Sequence, residues 1–270
     1  MKSKALAAPY LVWTVIFVIV PLLIVVYFAF TDASGSFTLD NFLQIGGYMP
    51  TFLNSVFLAA IATVICLVLA YPFAYVLASL GERAQKFLIM LVMLPMCMSF
   101  LLRTMAWVSL LSDNGNLNNF LASIGLGRLN MLYTPGAVIL GMVYDYIPYM
   151  IMPLYTALSK FDRSMLEAAD DLGATKRQTF SRVVLPLTVP AIISGVTMVF
   201  VPAVSTFYIS EKLGGQSTAM IGDIIEAQFK TAYNPYFGAA LSLCLMVLVL
   251  ICTAVMRRFS DEEEEEEIKL

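Results

Sequence analysis

The chain contains no histidine, which removes the commonest general base and the commonest transition-metal ligand. Charge is scarce too. Only 13% of its 270 residues are Asp, Glu, Lys or Arg, against about 25% in soluble domains, whose surfaces face water. Four cysteines (Cys66, Cys97, Cys244, Cys252) lie inside apolar runs without CxxC spacing. They read as small buried hydrophobes, so neither a disulfide framework nor a metal site is indicated. No GxxxxGK[ST] pattern occurs to cradle a nucleotide phosphate, and no nucleophile–base pair is recognisable. These absences argue against an enzyme.

What is present is hydrocarbon. Hydrophobic residues make up 60% of the chain, and the mean hydropathy is +0.82. That is more than one soluble core can hide, so lipid must be the solvent for much of the surface. Crossing ~30 Å of hydrocarbon takes about 20 apolar residues. Six stretches qualify: 9–30, 52–79, 87–111, 135–158, 187–209 and 238–256. Backbone groups in lipid must be satisfied within their own segment, so the expectation is an all-α integral membrane protein with six transmembrane helices. The first stretch is too long for a signal peptide and lacks a small-x-small cleavage site, so it reads as a retained span.

Basic residues set the orientation. With the N-terminus in the cytoplasm, twelve lie inside: Lys2, Lys4, Arg83, Lys86, Lys160, Arg163, Lys176, Arg177, Arg182, Arg257, Arg258 and Lys269. Arg128, Lys212 and Lys230 lie outside, and Arg103 falls within the third span. Both termini are therefore expected to be cytoplasmic. The formal charge of −3 hides a division. Residues 1–258 form a mildly basic membrane body, while 259–270 form an acidic tail whose run Asp261 to Glu267 reads as disordered and solvated.

The most informative stretch is the cytoplasmic loop 160–186. Ser164 and Glu167 have capping-box spacing, and Leu166, Ala169 and Gly173 fall on one side of the following helix, where small residues permit close approach. Gly173 can end that helix; a second follows, and Pro186 opens the fifth span. Glu167-Ala168-Ala169, three residues, Gly173, nine residues, then Val183, any residue, Leu185 and Pro186 form a fixed pattern. Here the chain resembles the permease subunits of ATP-binding-cassette (ABC) importers, of the type I kind, and matches their signature at all seven positions. The resemblance implies that this loop docks into a cleft on a separate ATPase subunit. ATP and Mg would be held there, with no cofactor in this chain.

A wider resemblance covers nearly the whole sequence. Phe37–Phe42, Val143–Tyr155, Leu166–Phe180 and Pro202–Ser210 are similar to the permeases of spermidine/putrescine importers. It implies a second related permease, two ATPase subunits, an extracytoplasmic polyamine-binding protein and a bacterial cell-membrane location, with no nucleic acid involved. In that family Phe207, Tyr208 and Glu211, at the outer end of the fifth span, correspond to an aromatic–acid gate. The family pattern has Asp where this chain has Glu211, and Lys where it has Glu226. Charge agrees with a cationic cargo: outer loops and membrane interior hold seven acids (Asp32, Asp40, Asp113, Asp145, Glu211, Asp223, Glu226) against four bases. Asp145, flanked by Tyr144 and Tyr146, is the sharpest pathway candidate. Three readings stay open for it: an ion pair with Arg103, a substrate contact, or a protonated carboxyl. Ferric iron or a cationic amino acid remains an alternative cargo, and an autonomous channel or carrier a more distant alternative.

Overall fold

The computed structural model describes residues 9–267 apart from 11 and 162, without the side chains of residues 163, 167, 217 and 259–267. Lys2, Lys4 and Lys269, counted in the orientation argument, lie outside the described residues, as does the side chain of Glu167. The described residues are helical, with one isolated bridge between Thr31 and Phe37 and no strand. Five helices are long and apolar enough to span a membrane, and a sixth span is broken. Four of the unbroken spans are labelled α1 (Val12–Ala29), α6 (Pro135–Ser159), α8 (Lys176–Val204) and α10 (Pro235–Arg258). The fifth is α2 (Met49–Ser79), preceded by two short turns from Asp40.

The centre of the bundle is α2, α6 and α8. Along α2, Ala59, Ala62, Cys66, Ala70 and Ala74 recur every three or four residues and are fully buried. This stripe of small residues lets neighbouring backbones approach, as membrane helix pairs require when lipid offers no hydrophobic drive between them. Met150 and Leu154 of α6 and Val199 of α8 pack with its C-terminal half. Gly195 continues the theme on α8: a Cβ there would stand 2.6 Å from Met150 Sδ. Tyr71 of α2 and Thr188 of α8 share a hydrogen bond of 2.8 Å. Opposite faces, such as Val64 and Val68 of α2 or most of α1, remain exposed apolar surface for lipid.

Three expectations need correction. The third span, 87–111, is not one helix. It is α3 (Glu82–Met93), a 3₁₀ turn (Leu94–Cys97), an extended link at Met98, and α4 (Phe100–Leu111), bent by 89°. Pro95 lies in the 3₁₀ turn, where a missing N–H and a tighter turn end the regular hydrogen-bond ladder. The second helix of loop 160–186 and the fifth span are one continuous helix, α8. A π-turn at Phe180–Val184 precedes Pro186 and relieves the clash between its ring and the preceding turn. That helix then ends at Val204, not at 209. Pro202 removes a donor, and the Ser205 hydroxyl donates back to the Val201 and Pro202 carbonyls.

The acidic tail also departs from expectation: the helix that begins at Pro235 continues through Glu267. Nucleation is the costly step of helix formation, and an existing span supplies it, while Glu is a good helix former.

Candidate functional site: coupling loop, buried ion pair and outer cluster

In loop 160–186, α7 (Arg163–Asp171) begins at Arg163, so Ser164 lies in its first turn. Gly173 closes it with φ 75°, a left-handed conformation that favours glycine. Ala174 N–H donates to Ala169 O and Gly173 N–H to Asp170 O, the paired bonds of a Schellman end. Thr175 and Gln178 then cap the start of α8 reciprocally. The turn between the helices is thus satisfied by its own residues.

The sequence suggested Leu166, Ala169 and Gly173 as the docking side. Leu166 instead packs inward against the bundle and, with Asp170, Tyr75, Gln85 and Phe161, lines a cavity of about 450 Å³. The apolar face left in water is Met165, Ala168 and Leu172, with Leu172 88% exposed. The signature residues Val183, Leu185 and Pro186 sit where α8 leaves the loop; none of the three is buried.

Within the membrane, α4 presents Phe100, Arg103 and Trp107 on one face, spaced i, i+3 and i+7. Each meets a candidate. Phe100 packs on Tyr208 with ring centroids 5.8 Å apart, and Trp107 meets Tyr144 edge-on at 5.4 Å. Between them Arg103 Nη1 lies 2.8 Å from Asp145 Oδ1, both side chains buried. The contact is close but not aligned as a hydrogen bond: Arg103 Nε and Nη1 and Asp145 Oδ1 have no hydrogen-bond partner. Of the three readings of Asp145, the structure contains the ion pair.

The outer candidates divide at the break that follows α8. Tyr208 and Glu211 turn one way: Lys212 Nζ lies 5.6 Å from the Tyr208 ring centroid and 2.6 Å from Glu211 Oε1. Phe207 turns the other way. It lines an apolar groove of about 530 Å³ with Phe229 and Glu226, and Glu226 pairs with Lys230 one turn on.

The sequence marked Asp223 only as one of several outer acids. It sits in the first turn of α9 (Ile221–Lys230), where its carboxylate accepts hydrogen bonds from Ser210 Oγ at 2.8 Å and Met220 N at 2.7 Å. Burial pushes its carboxyl up to about 6, with the charges of Glu211 and Glu226 acting in the same direction. Its signal was its place at the first turn after an extended residue, a capping position.

Residues 33–262 match the family described as the binding-protein-dependent transport system inner membrane component. This chain belongs to that family. The relatives are consistent with it. The spermidine/putrescine transport system permease protein PotB of Escherichia coli K12 is 40% identical over 258 residues, covering 92% of this chain and 94% of that protein. PotB of Haemophilus influenzae is 37% identical, covering 91% and 90%. Among solved structures, a bacterial ABC transporter that imports the acidic polysaccharide alginate matches with TM-score 0.84 at 19% identity, covering 97% of this chain and 95% of that one. A second structure of an alginate transporter, in complex with its alginate-bound periplasmic protein, matches with TM-score 0.81 at 18% identity. At such identity these two matches speak to fold alone. As a member of this family, the chain is a multi-pass transport component of the bacterial inner membrane and not an enzyme.

Proposed function

We propose that this permease subunit carries polyamines, spermidine or putrescine, inward across the membrane as half of an ATP-driven importer. The observation that carries the reading is 40% identity over 92% of the chain to spermidine/putrescine permeases. The excess of acids on the outer side, set among aromatic faces, supports a cationic cargo. A second related permease completes the pathway. Two ATPase subunits bind ATP and Mg, and an external polyamine-binding protein delivers cargo to the outer loops. The termini are cytoplasmic, which places loop 160–186 beside the ATPases.

In this reading Glu167, Ala168, Ala169 and Gly173 set the turn and surface of α7, and the exposed Met165–Ala168–Leu172 face is what an ATPase cleft would grip. Val183, Leu185 and Pro186 lie where α8 leaves the loop, so motion of α7, passed through the self-capped turn at residues 172–175, enters a pathway helix that runs on unbroken. Phe207, Tyr208 and Glu211 follow the break at the far end of that helix, and Glu226 lies on α9.

The test is reconstitution of the complete complex in vesicles. Wild type should accumulate spermidine or putrescine only with ATP and the loaded binding protein. Glu167→Lys and Gly173→Pro should each abolish uptake and substrate-stimulated ATPase activity. Survival of both activities in both variants would sink the coupling assignment, and a wild-type complex that moves no polyamine would sink the cargo.

A further inference from the structure

A carboxylate and a guanidinium buried together in a membrane bundle are costly, and an apolar pair of similar volume often serves stability as well or better. The Arg103–Asp145 pair is also incompletely satisfied. Its atoms touch at 2.8 Å, yet Arg103 Nε and Nη1 and Asp145 Oδ1 lack hydrogen-bond partners. Such a pair is weakly held for its depth, because in a low dielectric an unmade hydrogen bond forfeits much of the Coulombic return.

Its position is equally telling. Along the face of α4, Arg103 stands one turn from Phe100, which holds Tyr208, and one turn from Trp107, which holds Tyr144. Asp145 thus lies in a row with two tyrosine rings, an acid with aromatic neighbours of the kind that receive ammonium groups. The two partners are anchored unequally. Asp145 belongs to α6, which packs along both α2 and α8. Arg103 lies in the first turn of α4, just beyond the 89° break.

We infer that Asp145 is an ammonium-binding subsite inside the membrane, occupied by Arg103 in this conformation and yielded to a substrate ammonium when α4 draws aside. The inference rests on the polyamine reading above. Charge balances through the exchange: the carboxylate trades one monocation for another, and Arg103 turns to the water that fills the opened pathway. A primary ammonium brings three donors, enough to satisfy the carboxylate oxygen that the guanidinium leaves unmet.

A structural pair and a subsite respond differently to mutation, and uptake by the reconstituted complex separates them. Asp145→Asn should raise the KM for spermidine uptake about tenfold, the effect of losing one charge-assisted contact, with the binding protein's own affinity for spermidine unchanged. The swap Arg103→Asp/Asp145→Arg should stay impaired, because an arginine fixed on α6 repels the cargo. A swap that restores the wild-type KM would show that the pair is structural only and overturn the inference, as would an unchanged KM in Asp145→Asn. Should Asp145→Asn fail to assemble with its partners, Asp145→Glu provides a second reading. A longer carboxylate at a subsite shifts the ratio of spermidine to putrescine KM several-fold, and an unchanged ratio overturns the inference. Wild-type complex inert toward both polyamines refutes the cargo instead; active wild type with an unaffected Asp145→Asn refutes only the subsite.

Discussion

Gly222 is a position where a single methyl group should do marked damage. A Cβ there would stand 2.4 Å from Thr206 O and 2.9 Å from Ser205 O, both backbone atoms at the end of α8. Neither can rotate away, so α9 must retreat by roughly 1 Å to restore van der Waals contact. That retreat acts on a tightly tied segment. Ile221 is fully buried, and its N–H donates to Ser55 Oγ of α2 at 2.8 Å; the next N–H toward the N-terminus, that of Met220, donates to Asp223. Overpacking costs ~1–3 kcal/mol, and stranding the buried Ile221 N–H or the Ser55 hydroxyl costs a further ~1–3 kcal/mol. The sum, about 2–6 kcal/mol, corresponds to roughly 4–24 °C in melting temperature for a chain of this size.

Thermal melts of the detergent-purified complex measure this, with Gly81→Ala as control. Gly81 has nothing within 4 Å of its Cβ position and an ordinary φ of −69°, so its substitution should stay within ~0.5 kcal/mol of wild type. Gly195→Ala should fall between the two, because its nearest obstacle at 2.6 Å is the flexible Met150 thioether. Gly222→Ala melting with the control would refute the close approach of α9 to the end of α8.

Three further outcomes follow from the same geometry. Asp223 holds its proton more tightly folded, at about 6, than its ordinary value of 3.8; its contribution to stability is therefore full below about pH 4 and is lost as pH rises through about 6. Melting temperature should decline over that window, and Asp223→Asn, which fixes an uncharged side chain, should flatten the decline; an unaltered slope contradicts the assignment. Asn118 is fully buried and bonds Ser112 O, Leu129 O and Leu129 N–H, so Asn118→Ala should cost about 2–4 kcal/mol locally. Faster proteolysis within 112–134 would register the loss, and an unchanged cleavage rate would count against it. Leu172→Glu, at an 88% exposed position, should leave melting unchanged while uncoupling uptake from ATPase activity; full coupling would move the docking face elsewhere.

Where an apolar run has one clear length, the sequence reads the span well: 135–158 against Pro135–Ser159, and 238–256 against Pro235–Arg258. The broken third span was not legible because hydropathy reports solvent, not direction. Nor does proline mark the break by itself. Pro148 and Pro153 lie inside an unbroken α6, and Pro190 inside α8, while Pro95 occurs where the chain turns. In a bundle, neighbouring helices decide whether a missing N–H becomes a kink, a break or nothing. Loop 160–186 was legible in its turn, because the left-handed Gly173 is a local property of the chain. Which side of α7 faces outward was not local. Leu166 packs inward against a buried cluster that includes Leu158 and Val184, both outside α7.

The same division explains the candidate site. Asp145 and Arg103 could be singled out by depth alone, since a charge in lipid demands an explanation wherever it occurs. Their neighbours could not. Phe100, Arg103 and Trp107 have the spacing of any helical face, and Tyr144 and Tyr208 read equally well as an interfacial belt. What unites them is the bend at residues 98–99, which turns the face of α4 toward α6 and the segment after α8. Straightening that bend by restoring a continuous helix would carry Arg103 away from Asp145 and Phe100 away from Tyr208 together, since all of the contacts hang on one short rigid element. The break that hid the third span from a hydropathy reading is therefore what assembles the buried row of aromatic and charged groups.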